Sequence, residues 1–315
     1  LLKFTQMELD RCFSQRKNSE WVNNSHRNGQ FLLLLKNQHL VNSDTFQPVF
    51  LGWEQVLELG LTEHPRYLLG ANESQNIFAL DLTERETLSS SIPQPLETEK
   101  QIWVELRQIA PNLDNQTASL LMLARGLLHW HRHSQFCGAC GEETETYDLG
   151  HSRQCLNASC EYQVFPRTDS AVIMVVKRIF SDGIERVLLG RQSSWPEGMY
   201  SCLAGFVDQG ETLEQTVKRE VKEESGIEIG AVHYIASQPW LLPSSLMLGF
   251  FAEATSEEIQ VDKDELADAK WFTREEVKTF GEVSSANEHD GTECYKLPSK
   301  ISISRLLIEM WLDQA

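Results

Sequence analysis

Gly205-Phe206-Val207-Asp208-Gln209-Gly210-Glu211, then seven residues, then Arg219-Glu220-Val221-Lys222-Glu223-Glu224-Ser225-Gly226-Ile227, is the stretch on which the reading of this chain turns. Its middle predicts a helix from about Thr212 to Ser225, with Leu213, Val217 and Val221 as the apolar stripe. Glu220, Glu223 and Glu224 stand at i, i+3 and i+4, so their carboxylates meet on one helical face. An acidic helix face is usually solvated surface, but the periodicity argues otherwise here. At about 100° per residue, Glu220 and Glu224 project within about 60° of Val217, toward the side that packs on a sheet. Lys218 and Lys222 point away. A half-buried cluster of like charges is costly unless a cation compensates it. Hard magnesium or manganese fits an all-oxygen site that also takes phosphate oxygens.

Strand signals surround this helix. Ala171-Val172-Ile173-Met174-Val175-Val176 is β-branched and bounded by charge, which predicts a buried strand. Arg186 to Leu189 and Leu246 to Ala252 read as further strands, and a closing helix runs from about Ile301 to Leu312. Helices flanking a sheet are the expected outcome. Upstream, Phe31 to Leu35, Tyr67 to Leu69 and Ile77 to Leu82 alternate with polar turns and lead to a helical stretch around Ala118 to His131. This predicts an α+β domain. Glu84 to Lys100, rich in serine and proline, reads as a linker or exposed loop within it.

Between the two regions, Cys137-Gly-Ala-Cys140 and Cys155-(four residues)-Cys160 form two close pairs, the spacing that lets four thiolates converge on one tetrahedral zinc. Gly138 and Gly141 suit the tight turn of such a knuckle. Four sulfur ligands leave no open position for water, so this Zn2+ is expected to be structural. Reduced structural cysteines without metal are the plainer alternative. Cys12, Cys202 and Cys294 are isolated and read as packing residues. His129, His131 and His133 are expected at the surface or the helix end, not as ligands.

The chain has 315 residues with 46 acidic against 28 basic ones, a formal charge of -18 that disfavours generic nucleic-acid binding. No apolar run approaches the ~20 residues of a membrane span. Seven cysteines, an odd number, argue against a disulfide framework and fit a reducing compartment, so a cytoplasmic location is expected. The first residue is leucine, which leaves a peroxisomal or mitochondrial address open.

From Gly205 to Ile227 the fixed residues match every position of the box that marks the Nudix hydrolases, and the chain resembles that family. The resemblance implies a Nudix α/β/α sandwich and hydrolysis of a nucleoside diphosphate linked to another group. By position it makes Glu220, Glu223 and Glu224 metal ligands and the pair Glu211 and Arg219 their orienting residues. The backbone of Ala204 joins the metal site. Ser237-Gln238-Pro239-Trp240-Leu241-Leu242-Pro243-Ser244-Ser245 resembles the array that marks the NADH pyrophosphatases, with Leu241-Leu242 as its departure. That subfamily places a divergent N-terminal domain and a four-cysteine zinc ribbon before the catalytic domain. The expected division is therefore 1–132, 133–165 and 166–315.

Further roles follow from the same resemblance. Glu265 matches an additional metal and substrate glutamate, and Phe206 an aromatic that stacks on a base. Phe165 stands where relatives place a substrate-contacting tyrosine. Gln238, Pro239, Trp240 and Ser245 are expected to contact the dinucleotide. Arg107 matches a phosphate-contacting arginine of bacterial members on little more than Arg107-Gln108. The implied reaction is metal-dependent cleavage of NADH or NAD to nicotinamide mononucleotide and AMP, with Mg2+ or Mn2+, in a homodimer that also removes NAD caps from RNA. Glu224 is the first choice for proton acceptor, with Glu265 and Glu223 as rivals. A Nudix hydrolase for ADP-ribose and a non-catalytic nucleotide sensor are the competing readings.

Overall fold

The computed structural model describes residues 2–73, 75–83, 100–282 and 295–314. The expected linker from Glu84 to Lys100 lies, except for Lys100, outside these residues, as does Cys294. Internal contacts divide the chain into two units. One is Lys3–Thr168 with Trp240–Ser244, and the other is Asp169–Pro239 with Ser245–Ala315 and the first two residues. The division falls after Thr168, so the cysteine segment stays with the N-terminal sheet.

The N-terminal unit opens with α1 (Ser19–Asn24), followed by β1 (Gly29–Leu35), β2 (Gln38–Asn42), β3 (Phe50–Gly52), α2 (Trp53–Glu58), β4 (Arg66–Ala71), β5 (Asn76–Asp81) and β6 (Gln101–Glu105). The strands form one six-stranded sheet in the order β4-β5-β1-β2-β6, with β3 paired to β1. β1 runs parallel to β5 and antiparallel to β2. Phe31, Leu32, Leu33 and Leu34 are all fully buried. Phe31 and Leu33 join Leu68, Phe78 and Leu80 in one core, while Leu32 and Leu34 face the other way, so an unbroken apolar run is what a strand covered on both faces requires.

After the short α3 (Leu106–Ile109), α4 runs over Asn115–His133. The Asp114 carboxylate caps it by accepting from the Thr117 N–H at 2.8 Å. Ala118, Leu121, Met122 and Leu128 are buried, and sinking each large side chain contributes roughly 1.5–3 kcal/mol. At the end of α4, Arg132 grips the buried Asp81 of β5 with two hydrogen bonds of 2.6 and 2.9 Å. His131 lies at the helix end, one of the two places expected for it. It sits in the last turn but is buried, stacked on Tyr67 at 3.8 Å between centroids, with Nε2 2.8 Å from the Gly150 carbonyl. The helical stripe explains this, since His131 follows Leu127 and Leu128 onto the inner face.

β7 (Thr144–Tyr147), β8 (Ser152–Cys155) and β9 (Gln163–Val164) then form a small three-stranded sheet that carries the cysteine pairs.

The second unit holds β10 (Asp169–Ile179), β11 (Glu185–Arg191), β12 (Leu203–Phe206), α5 (Leu213–Ser225), β13 (Ile229–Trp240, its last residue counted with the first unit), β14 (Ser245–Ala254), β15 (Asp268–Thr273), α6 (Arg274–Lys278), the parallel pair β16 (Gly281–Glu282) and β17 (Lys296–Leu297), and α7 (Ile303–Asp313). Its sheet has the order β13-β14-β10-β11-β15, with β12 paired to β10. The expected strand Ala171 to Val176 is the centre of β10, and alternation along it separates two cores. Val172, Met174 and Val176 pack with Val217 and Val221 of α5. Ile173 and Val175 pack with Leu307, Ile308 and Trp311 of α7. The result is the expected helix-sheet-helix sandwich. No helix among the described residues is long and apolar enough to cross a membrane.

Candidate active site

Helix α5 is fixed at both ends by its own sequence. Thr212 and Gln215 form a reciprocal capping box at its start, with bonds of 3.2 and 2.8 Å. Gly226 ends it in the left-handed region at φ 73°, donating to the Lys222 carbonyl at 2.8 Å. Val217 and Val221 are fully buried against the sheet, so the helix cannot rotate without exposing them. The carboxylates therefore point where the apolar stripe sends them. Glu224 is 5% exposed. The Glu220 side chain is 12% exposed and that of Glu223, further round the helix, 50%. Lys218 and Lys222 face solvent as expected, Lys222 pairing with Glu228 at 2.7 Å.

β12 supplies the wall opposite the helix. A Cβ placed on Gly205 would stand 1.8 Å from Cδ of Glu220 and 2.1 Å from each of its oxygens, so the carboxylate occupies the space that the missing side chain leaves. The Ala204 backbone amide lies toward the Glu224 carboxylate and favours its charged form.

Arg219 organises the remaining acids. Its Nε and Nη2 hold both oxygens of Glu211 at 2.7 and 2.9 Å. Nη1 donates to Glu220 at 2.9 Å and to Glu223 at 2.8 Å, and Nη2 also reaches the Phe206 carbonyl at 2.9 Å. The two guanidinium bonds, helped by the Thr216 hydroxyl at 3.0 Å, draw the Glu211 carboxyl down to about 2. Glu211 therefore remains the anion that keeps Arg219 in place. Thr216, fully buried, was not singled out from the sequence, because a threonine inside a helix carries no signal beyond its propensity.

Glu224 stands apart from this network. Burial first, then the charges of Glu220 and Glu265, push its carboxyl up to about 8, and its Oε2 has no hydrogen-bond partner. Burial likewise raises Glu220, against the pull of Arg219. An anionic cluster with an orphaned buried oxygen is what hard divalent cations would satisfy, so the residues fit such a group. The four glutamates are looser than the cysteines described below. Among the described residues, only the cysteines have three or more ligand atoms within 4.8 Å of one another.

The other expected ligand contacts divide between the two units. Phe206 closes β12 with its ring 58% exposed. Gln238 is fully buried, and both ends of its amide serve the start of α7, donating to the Ile301 carbonyl at 2.7 Å and accepting from the Ile303 N–H at 2.8 Å. Its visible work is to anchor α7. Pro239 is half-buried, and Ser245 begins β14 opposite Asp169. Trp240 and Phe165 belong to the N-terminal unit. There Trp240 meets Phe4 edge-on at 5.9 Å, and the Arg107 guanidinium lies 5.8 Å from its ring. Arg107 thus has an aromatic neighbour. The departure at Leu241 has a physical reason: its side chain fills the groove over Gly126 of α4, where an added Cβ would lie 2.4 Å away, and its carbonyl accepts from Arg125.

Cys137, Cys140, Cys155 and Cys160 bring their sulfurs within 4.8 Å of one another, with Cys137 to Cys160 at 3.8 Å and Cys140 to Cys155 at 3.5 Å. Zinc–sulfur bonds of about 2.3 Å at tetrahedral angles put sulfurs about 3.8 Å apart, so the set fits zinc without rearrangement. None of the four is in a disulfide. Of the two knuckle glycines only Gly141, at φ 79°, uses glycine's freedom. Cys12 and Cys202 are buried packing residues, as expected.

The Nudix domain family matches residues 169–289, and the NADH pyrophosphatase-like rudimentary Nudix domain matches residues 28–130. Along 98% of this chain and 73% of its own length, the human NAD-capped RNA hydrolase NUDT12 is 34% identical. The chain belongs to the Nudix hydrolases, in their NADH pyrophosphatase branch. Human mitochondrial NAD(P)H pyrophosphatase NUDT13 is 41% identical over 78% of the chain and 71% of the relative. The NAD-capped RNA hydrolase NudC of Mycobacterium bovis is 42% identical over 66% of the chain and 64% of the relative. Members of the family need divalent metal.

Proposed function

We propose that this Nudix hydrolase cleaves the diphosphate of NADH and NAD to nicotinamide mononucleotide and AMP, and removes NAD caps from RNA. Glu224 carries the reading. It is a buried carboxylate with one unpartnered oxygen, set beside Glu220 and Glu265 in a chain similar to proteins named for these two activities. Glu220, Glu223, Glu224, Glu265 and the Ala204 backbone would hold Mg2+ or Mn2+. When bound, such ions polarise phosphoryl oxygens, activate water and neutralise the leaving phosphate.

The chain's own residues do the rest. Arg219, locked by Glu211, keeps Glu220 and Glu223 in register. Gly205 gives Glu220 its space. Glu224 is the first choice to accept the proton of the attacking water, with Glu265 or Glu223 as rivals. The exposed Phe206 ring stacks on a base of the substrate, and Pro239, Ser245 and Gln238 of the same unit support the dinucleotide pocket. Zinc on the four cysteines holds the ribbon's fold and takes no part in the chemistry. A homodimer and a reducing, cytoplasmic setting belong to the same reading, the latter suggested by six described cysteines that are all free. So does the division into N-terminal, ribbon and catalytic parts.

The test is a ranking of NADH, NAD, ADP-ribose and NAD-capped RNA as substrates with Mg2+ and with Mn2+. NADH or capped RNA in first place supports the reading. ADP-ribose in first place moves the chain to another Nudix specificity, and no cleavage of any of them leaves a nucleotide sensor.

A further inference from the structure

The N-terminal unit contains a cavity of about 1150 Å³, formed by the turn before α1, α1 itself, the segment leading into β4, and the cysteine-bearing segment at Thr146–Leu149 and Phe165. Its lining is unlike the chain as a whole. In a molecule of formal charge -18, this concavity gathers Arg16, Lys17 and Arg66, with two histidines, against two carboxylates. One of those carboxylates, Asp148, is already neutralised by its ion pair with Arg16. Among the described residues Lys17 has no carboxylate partner, and it lies 4.0 Å from the centroid of the Phe13 ring. Arg66 also has no acid partner among the described residues. It lies over Trp53 at 5.5 Å and donates to the Thr62 carbonyl at 2.8 Å. Three rings stand unusually open around these cations: Phe13 is 64% exposed, Tyr147 55% and Phe165 61%.

Open rings beside unpaired cations are the means by which proteins hold bases and phosphates without reading sequence. The volume exceeds the roughly 300–1,000 Å³ of an ordinary small-molecule pocket, so it accommodates more than one nucleotide. We propose that this cavity is a second, non-catalytic site that binds phosphorylated nucleotides, with bases stacked on Phe13 and Tyr147 and phosphates at Lys17 and Arg66. It lies in the unit that lacks the glutamates of α5, so binding there requires no magnesium or manganese. The ligand comes either as a short single strand of RNA or as a free nucleotide, which share this chemistry.

The experiment is fluorescence anisotropy of the zinc-loaded full chain with a labelled ten-nucleotide oligoadenylate, without magnesium or manganese, repeated with AMP as competitor. Wild type is expected to bind. Phe13→Ala and Lys17→Ala, both changes at exposed positions, are each expected to weaken binding about tenfold, as loss of one stacked base or one phosphate contact does. Removing Lys17 is also expected to make the slope of log affinity against log salt shallower by about 0.7. NADH hydrolysis by both variants should match wild type, which separates this site from the carboxylate centre. Displacement of the probe by millimolar AMP identifies a free-nucleotide site, and resistance to it a strand site. Absence of binding, or binding equal in wild type and both variants, overturns the proposal whatever the hydrolysis assay shows.

Discussion

Replacing Gly205 by alanine should separate activity from stability. The added Cβ would lie 1.8–2.1 Å from the Glu220 carboxylate atoms, and ordinary contact needs about 3.5 Å, so the carboxylate must retreat by roughly 1.5 Å. Ligand oxygens of hard cations tolerate displacements of only about 0.2 Å, and a misplacement of about 1 Å near the chemistry costs on the order of 100-fold. The fold has little to lose, because the atoms encountered are the end of a flexible side chain. Overpacking should cost no more than about 1 kcal/mol, which lowers the melting temperature by roughly 2–4 °C in a chain of this size. Steady-state hydrolysis of NADH at saturating Mn2+, read beside a thermal melt, is the assay. A fall in kcat of about 100-fold with a nearly unchanged melt is expected. Activity within threefold of wild type would refute the placement of Glu220 against the glycine backbone.

Three further outcomes follow from other parts of the molecule. Arg219→Lys keeps the charge but loses the fork that spans Glu211, Glu220 and Glu223, so kcat should fall at least tenfold while Arg219→Ala falls further; equal activity of wild type and the lysine variant would count against the fork. Cys140→Ser, or stripping zinc with a strong chelator, should unfold the ribbon, seen as a lost thermal transition together with a metal content below one zinc per chain; an unchanged melt would leave the cysteines as packing residues only. His39 and His131 are buried neutral, each pushed down to about 3 by burial, with Arg125 adding to the effect at His39 and Arg153 at His131. The unfolded chain takes up these protons below about 6.5 and the native chain does not. Their stabilising contribution is therefore present above that pH and lost as pH falls toward 3, by about 1.4 kcal/mol per pH unit for each histidine. Urea unfolding of His39→Phe between pH 6 and pH 4 should show a slope shallower by that amount, and an identical slope would exclude the assignment.

The catalytic helix and the central strand were legible because periodicity acts locally. Val217 and Val221 fix one face of α5, and geometry then aims Glu220 and Glu224 at the same side. The cysteine spacing was equally direct, since ligands of one ion must lie close in sequence or in space. What was not legible depends on partners distant in the chain. The space under Gly205, the support of Glu211 by Thr216, the use of Gln238 to hold Ile301 and Ile303, and the burial of His131 against Tyr67 each need the folded neighbours. Leu241 is the sharpest case. Read in sequence it is a departure from a substrate-binding array, and in the structure it fills the groove that Gly126 leaves open.

The central claim is that the buried carboxylate of Glu224 drives metal-dependent cleavage of a dinucleotide diphosphate. Chromatographic analysis of NADH incubated with Mn2+ and either wild type or Glu224→Gln, both checked for folding by thermal melt, tests it most directly. Wild type should give nicotinamide mononucleotide and AMP in equal amounts, while the folded glutamine variant should lose at least 100-fold in rate. Undiminished cleavage by that variant, or intact NADH with wild type in the presence of either metal, would contradict the account.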